Sequence, residues 1–133
     1  MKVAVLTGAS RGIGLEIAKR LVALDYKVYG LARSFESTDF YHENFIPIVC
    51  DVQDTGKLEK VIGDIEKKEP EIHLLVNNAG VGYFGPHEQI WVKGIQAMVR
   101  TNLEAPLILC RLLLRTLKKS RGTIISISSV TAK

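Results

Sequence analysis

The 133 residues carry 18 Lys and Arg against 14 Asp and Glu, a net charge of +4, with 47% hydrophobic and 24% charged residues. A chain of this length holds one domain, here residues 1–133, with a buried core, and the composition excludes disordered and fibrous classes. The charge is mild and unclustered: the densest basic stretch is Lys118-Lys119-Ser120-Arg121, which lends nucleic-acid binding little support.

Cys50 and Cys110 stand far apart in apolar surroundings. That is neither a metal spacing nor a disulfide framework, and it suits a reducing cytoplasm. Met1-Lys2 runs straight into Val3–Leu6, an apolar run too short for a signal peptide. The longest apolar stretch, Ala105 to Leu114, is broken by Pro106 and Arg111 and is too short to span a bilayer.

In chain order, Val3–Leu6 reads as a strand buried on both faces. A helical stripe follows from Arg11 to Leu24, on Ile13, Ile17, Leu21 and Leu24. Lys27–Ala32 predicts a second strand, and the polar, unperiodic residues Arg33–Asn44 predict a loop with one helical turn. Phe45–Cys50 is a third strand, with Pro47 where a missing N–H is tolerated. Asp54 or Thr55 caps a helix whose stripe is Leu58, Val61, Ile62 and Ile65. Ile72–Val76 is a fourth strand, stopped by Asn77-Asn78-Ala79-Gly80, and Gly82–His87 a glycine-containing loop. A long helix from about Glu88 to Leu117 has its stripe on Ile90, Ile95, Met98, Val99, Leu103, Leu107, Leu113 and Leu117. Arg121-Gly122 breaks it, and Thr123–Ser128 is a fifth strand that reads as buried on both faces. Strands alternating with helices imply an α/β, doubly wound parallel sheet of five strands.

Between the first strand and first helix stands Thr7-Gly8-Ala9-Ser10-Arg11-Gly12-Ile13-Gly14, a G-x-x-x-G-x-G spacing. Glycines there permit positive φ and let a phosphate approach the backbone, while a helix opening near Arg11 offers unpaired N–H groups to an anion. A tight turn that needs glycine for its own sake is the alternative. Past the second strand, where a carboxylate would bind a ribose 2′-OH, the sequence reads Leu31-Ala32-Arg33-Ser34. A guanidinium at Arg33, joined by Arg11 and the Ser34 hydroxyl, suits a 2′-phosphate and favours NADP(H) over NAD(H). Within the long helix, Pro106 lacks the N–H that the Asn102 carbonyl would receive, leaving either a simple kink or a carbonyl able to hold a water.

The glycine octet resembles that of the short-chain dehydrogenase/reductase family. Four more stretches agree in order and spacing: Asp51-Val52, Asn77-Asn78-Ala79-Gly80, Asn102-Leu103 and Ile127-Ser128-Ser129-Val130. The resemblance covers essentially the whole chain and implies the Rossmann-like, amino-terminal half of the family fold. It implies that Gly8, Ser10, Arg11, Gly12, Ile13 and Gly14 hold the cofactor phosphates, that Asp51 and Val52 lie at the adenine, and that Asn78, Ala79 and Gly80 line the adenosine ribose. Asp51 as a helix-leading cap and Asn77 as a structural residue are the competing readings. By the same resemblance Asn102 holds a water of a proton relay, and Ser129 hydrogen-bonds the substrate carbonyl during hydride transfer.

The family's catalytic Tyr, with a Lys four residues later, has no match here. Tyr26, Tyr29, Tyr41 and Tyr83 are followed at that spacing by Gly30, Arg33, Phe45 and His87. That pair is expected beyond Lys133, so the enzyme expected is an NADP(H)-dependent oxidoreductase acting on a small carbonyl or alcohol, with the 133-residue chain alone inactive. The alternatives are a non-catalytic dinucleotide-binding module and a dimerisation module. The resemblance also implies a homo-oligomer packed through the long helix, 88–118, while the unclustered charge and short apolar runs lead us to expect no nucleic-acid and no membrane partner.

Overall fold

In a computed structural model, which describes residues 1–80 and 90–127, five strands form one parallel sheet. The strands are β1 (Lys2–Thr7), β2 (Tyr26–Ala32), β3 (Phe45–Val49), β4 (Leu74–Asn77) and β5 (Thr123–Ser126), in the order β3-β2-β1-β4-β5. The helices are α1 (Gly12–Ala23), α2 (Thr55–Lys68), α3 (Val92–Val99) and α4 (Ala105–Ser120). β1 pairs with β2 on one side, Val5 opposite Tyr29, and with β4 on the other, Val5 opposite Leu75. Strand order therefore reverses between β1 and β4, and the ends of those strands diverge into a crevice.

The period-2 alternation of β1 feeds two cores. Val3 and Val5 pack with Tyr29, Leu31 and Leu75 against α2 and α4. Ala4 and Leu6 pack with Val28, Leu74 and Val76 against α1. Burial on both faces is what a parallel sheet wrapped by crossover helices requires. Asp54 caps α2 by accepting the Lys57 N–H at 3.1 Å, so the cap is Asp54 rather than Thr55.

Several elements differ from the sequence expectation. Residues 33–44 form no helix; Phe35–Thr38 closes as a turn, with the Thr38 N–H on the Phe35 carbonyl at 3.0 Å. β4 begins at Leu74 rather than Ile72, because Ile72 enters the core before the ladder with β1 starts. Among the described residues the long helix begins at Val92, after the non-helical Ile90 and Trp91, and Glu88 lies outside them; the helix is divided by a π-helical turn over Arg100–Glu104, where the Ala105 N–H reaches back to the Arg100 carbonyl. That widened turn precedes Pro106 in the first turn of α4, where its missing N–H costs nothing.

The buried stripe of this helix is Thr101, Ala105, Leu109, Leu113 and Leu117. Val99, Leu103 and Leu107, assigned to the core from sequence, are exposed instead. The helix has two apolar faces, and periodicity alone selected from both. β5 is likewise exposed along its length rather than buried on both faces. It is the edge strand, paired only with β4, and among the described residues no helix covers it from the far side. At the end of α4 the left-handed residue is Arg121, at φ 56°; Gly122 is required because a Cβ there would lie 2.7 Å from the His73 carbonyl oxygen.

Candidate cofactor site

The segments after β1, β2, β3 and β4 meet at one edge of the sheet, around a cleft of about 610 Å³. It is lined by Gly8, Ser10, Arg11 and Gly12 from the first loop, Arg33 and Ser34 from the second, Asp51 and Val52 from the third, and Asn78, Ala79 and Gly80 from the fourth. Eleven of the thirteen cofactor residues expected from sequence are thus brought together. Ile13 and Gly14 do not line this cleft: Ile13 projects outward from α1, and Gly14 is buried behind it.

The first loop is shaped by its glycines. Gly8 and Gly12 have φ of 65° and 57°, a region L side chains rarely adopt. Nothing lies within 4 Å of where a Cβ on Gly12 would stand, so the backbone there faces open space in the cleft. A Cβ on Gly14 would lie 1.8 Å from the Gly8 carbonyl oxygen, so any side chain at residue 14 would push α1 off the loop. Arg11 is the extended N-cap of α1 and makes no side-chain cap, so no side chain blocks the first-turn N–H groups.

The floor is tied through Thr7, which stands in the glycine octet but was given no role in the sequence reading. The buried Thr7 hydroxyl accepts the Asn78 N–H at 3.0 Å and the Ala79 N–H at 2.9 Å, joining the ends of β1 and β4. The Asn78 amide donates to the Gly8 carbonyl at 3.1 Å. Ser37, Gln53, Cys50 and Thr101 also line the cleft, and Thr38 stands behind it with its hydroxyl on the Ser10 carbonyl at 2.6 Å. Only Thr101 carried a signal in sequence, as the polar member of a stripe at steps of four.

Asp51 Oδ1 accepts the Gln53 N–H at 2.9 Å, which holds its carboxylate in a turn leading into α2. It is the one carboxylate among the described lining residues, against the two guanidinium groups of Arg11 and Arg33. Both arginines are exposed and unburdened by any described salt bridge. Ser34 Oγ accepts the Glu36 N–H at 3.2 Å, so its hydroxyl hydrogen is the part left for a ligand.

Asn102 sits in the π-helical turn, with Oδ1 3.4 Å from the position of a Cβ on Gly80, at the margin of the same cleft. Asn77, by contrast, turns from the cleft toward Cys110, its amide 3.9 Å from Sγ, and its backbone carbonyl accepts the Ile127 N–H. Ser129 and the Gly82–Gly85 stretch lie outside the described residues. A second hollow, of about 500 Å³, opens beside β3 among Phe35, Phe40, Tyr41 and Phe45, away from the arginines and the glycine loop.

A family model described as short chain dehydrogenase matches residues 2–133. The chain belongs to the short-chain dehydrogenase family. It is 35% identical over 134 aligned residues to the 3-oxoacyl-[acyl-carrier-protein] reductase FabG of Salmonella typhimurium, an alignment that covers 97% of this chain and 55% of that protein. A metagenomic short-chain oxidoreductase solved in complex with NADP superposes with a TM-score of 0.88 at 32% identity, over 99% of this chain and 63% of that one. A short-chain dehydrogenase from Leptospira borgpetersenii with bound NAD⁺ superposes at 0.89 with 23% identity, over 99% and 54%, a likeness of fold. This short-chain dehydrogenase chain spans about half the length of the relatives it matches, and its five parallel strands with helices on both faces are the half they share.

Proposed function

We propose that the cleft binds NADP(H), in preference to NAD(H), for an oxidoreductase that interconverts a small carbonyl compound and its alcohol. The observation that carries this reading is the convergence of Arg11 and Arg33 on a cleft whose glycine loop presents bare backbone. The residues fit a dinucleotide: Gly12 leaves the space a Cβ would fill, and the first-turn N–H groups of α1 favour a pyrophosphate. NADP(H), when bound, supplies or accepts the hydride.

Arg33 and Arg11 pair with the 2′-phosphate, and the Ser34 hydroxyl adds a donor. Asp51 and Val52 flank the adenine, while Asn78, Ala79 and Gly80 line the adenosine ribose. Asn102, at the cleft margin, holds a water for proton movement, and Ser129 orients the substrate carbonyl. The likeness to an NADP-bound relative at 32% identity supports the cofactor assignment. No tyrosine in the chain precedes a lysine by four residues, so these 133 residues bind the cofactor without turning over a carbonyl. The exposed Val99, Leu103 and Leu107 favour a homo-oligomer packed through the long helix, and the two free cysteines fit a reducing cytoplasm. Among the described residues no helix is long and apolar enough to cross a membrane.

Fluorescence titration of the chain with NADPH and NADH tests the assignment. NADPH is expected to bind at least tenfold more tightly, on the order of one charge-assisted contact, and Arg33→Ala to erase most of that difference. Tighter NADH binding by the unsubstituted chain overturns it.

A further inference from the structure

Arg11 and Arg33 belong to different loops, and something must set the distance between them. The loop after β2 is fixed at its far side by aromatic packing, Phe35 edge-on to Phe45 at 6.2 Å and Phe40 against Phe45 at 5.2 Å between ring centroids. Between those anchors stands Thr38, only 7% exposed. Its hydroxyl donates to the Ser10 carbonyl at 2.6 Å, across twenty-eight positions of chain, and its N–H closes the turn onto Phe35. The Ser10 carbonyl belongs to the peptide group whose N–H is that of Arg11. A trans peptide sets C=O and N–H antiparallel, so holding that carbonyl on Thr38 turns the Arg11 N–H away from Thr38 and fixes where the Arg11 side chain leaves the backbone. Ser37, the neighbour of Thr38, lines the cleft, whereas Thr38 faces the aromatic hollow behind it.

We propose that Thr38 is a positioning residue for cofactor specificity: its hydroxyl straps the loop bearing Arg33 to the loop bearing Arg11, so that the two guanidinium groups act on one phosphate. This rests on the NADP(H) assignment above. Phe35, Phe40 and Phe45 hold the strap against the α1 side of the sheet. The Ala9 N–H donates to the Leu31 carbonyl at 3.2 Å and ties the glycine loop to the end of β2, and the Thr38–Ser10 hydrogen bond adds a tie to the loop beyond Arg33. A nucleotide lacking the 2′-phosphate makes no use of the spacing of the arginines and is indifferent to the strap.

The test measures dissociation constants of 2′,5′-ADP and 5′-AMP on the whole chain and on Thr38→Val and Thr38→Ser. Thr38→Val keeps the side-chain shape and removes the donor. It is expected to weaken 2′,5′-ADP by about fivefold to tenfold and 5′-AMP by less than about twofold, while Thr38→Ser, which keeps the hydroxyl, restores the ratio of the unsubstituted chain. Should Thr38→Val fail to fold by circular dichroism, Thr38→Cys, a far weaker donor, must lower the same ratio. Equal weakening of both nucleotides, or none, overturns the positioning role while leaving the NADP(H) assignment standing. If the unsubstituted chain does not prefer 2′,5′-ADP, the assignment fails and this role fails with it.

Discussion

Thr7 is 2% exposed and its hydroxyl receives two backbone N–H groups, from Asn78 and Ala79, at the point where β1 and β4 part. A strand that ends beside a crevice leaves the neighbouring loop's amides without a ladder partner, and a buried amide without a partner costs about 1–3 kcal/mol. Thr7→Val keeps the volume and deletes the acceptor. It is expected to lower the unfolding free energy by about 2–4 kcal/mol in urea denaturation, with Thr7→Ser recovering most of the loss. Equal midpoints for Thr7→Val and the unsubstituted chain would show that the two N–H groups find other acceptors. Thr7 belongs to the scaffold under the cleft, whereas Arg11 and Arg33 spend little stability to stand exposed above it.

At the scale of elements, β2 is joined to the end of α2 by a cluster remote from the cleft. Tyr29 donates its hydroxyl to Glu69 at 2.6 Å, and Lys27 Nζ lies 2.6 Å from the same carboxylate oxygen and over the Tyr29 ring. Burial pulls the Glu69 carboxyl upward, but the hydrogen bonds from Lys27 and Tyr29 outweigh it and leave the group below its ordinary 4.5. The Glu69 hydrogen bond outweighs desolvation and raises Lys27; burial, aided by that carboxylate, raises Tyr29. A depressed carboxylate stabilises the fold above its unfolded pKa and loses that contribution as pH falls through the folded one. Raised Lys and Tyr groups stabilise below their unfolded values and lose it as pH rises through the folded ones. Thermal midpoints are expected to fall below about pH 4.5 and again above about pH 10, and Glu69→Gln to flatten both limbs relative to the unsubstituted chain. Unaltered limbs in Glu69→Gln would assign the pH dependence to other groups.

Over the molecule as a whole, the α3–α4 helix has one face in the core and another in solvent, where Leu103 is 57% and Leu107 63% exposed. Both lie one helical turn apart, and Val99 extends the patch by another turn. Contiguous exposed apolar side chains of this kind mark a surface for association. In analytical ultracentrifugation the chain is expected to sediment as an oligomer at micromolar concentration. Leu103→Glu with Leu107→Glu is expected to shift it to monomer, because each charge would be buried against its own copy. A monomeric unsubstituted chain removes this surface from consideration.

The order of strands and helices along the chain and the buried stripe of α2 were readable from local pattern, and most of the cleft from family motifs, but of the stripe Ile13, Ile17, Leu21 and Leu24 expected for α1 the ends, Ile13 and Leu24, are exposed. The continuous apolar run of β1, the helical stripe of α2 and glycines between a strand and a helix are short-range signals. The family motifs recur at the strand ends because sheet topology brings those ends to one edge. What three-dimensional packing decided was which apolar residues are inside. The long helix offers leucines on two faces, and only contact with β4 and α2 shows that Leu109 and Leu113 are buried while Leu103 and Leu107 are not. β5 reads as a core strand by its isoleucines, yet burial belongs to neighbours, and on its open side the described structure has none. Thr7 and Thr38 were invisible for the same reason: a hydrogen bond across seventy-one or twenty-eight positions leaves no periodicity in the chain, and its existence depends on two loops meeting in space.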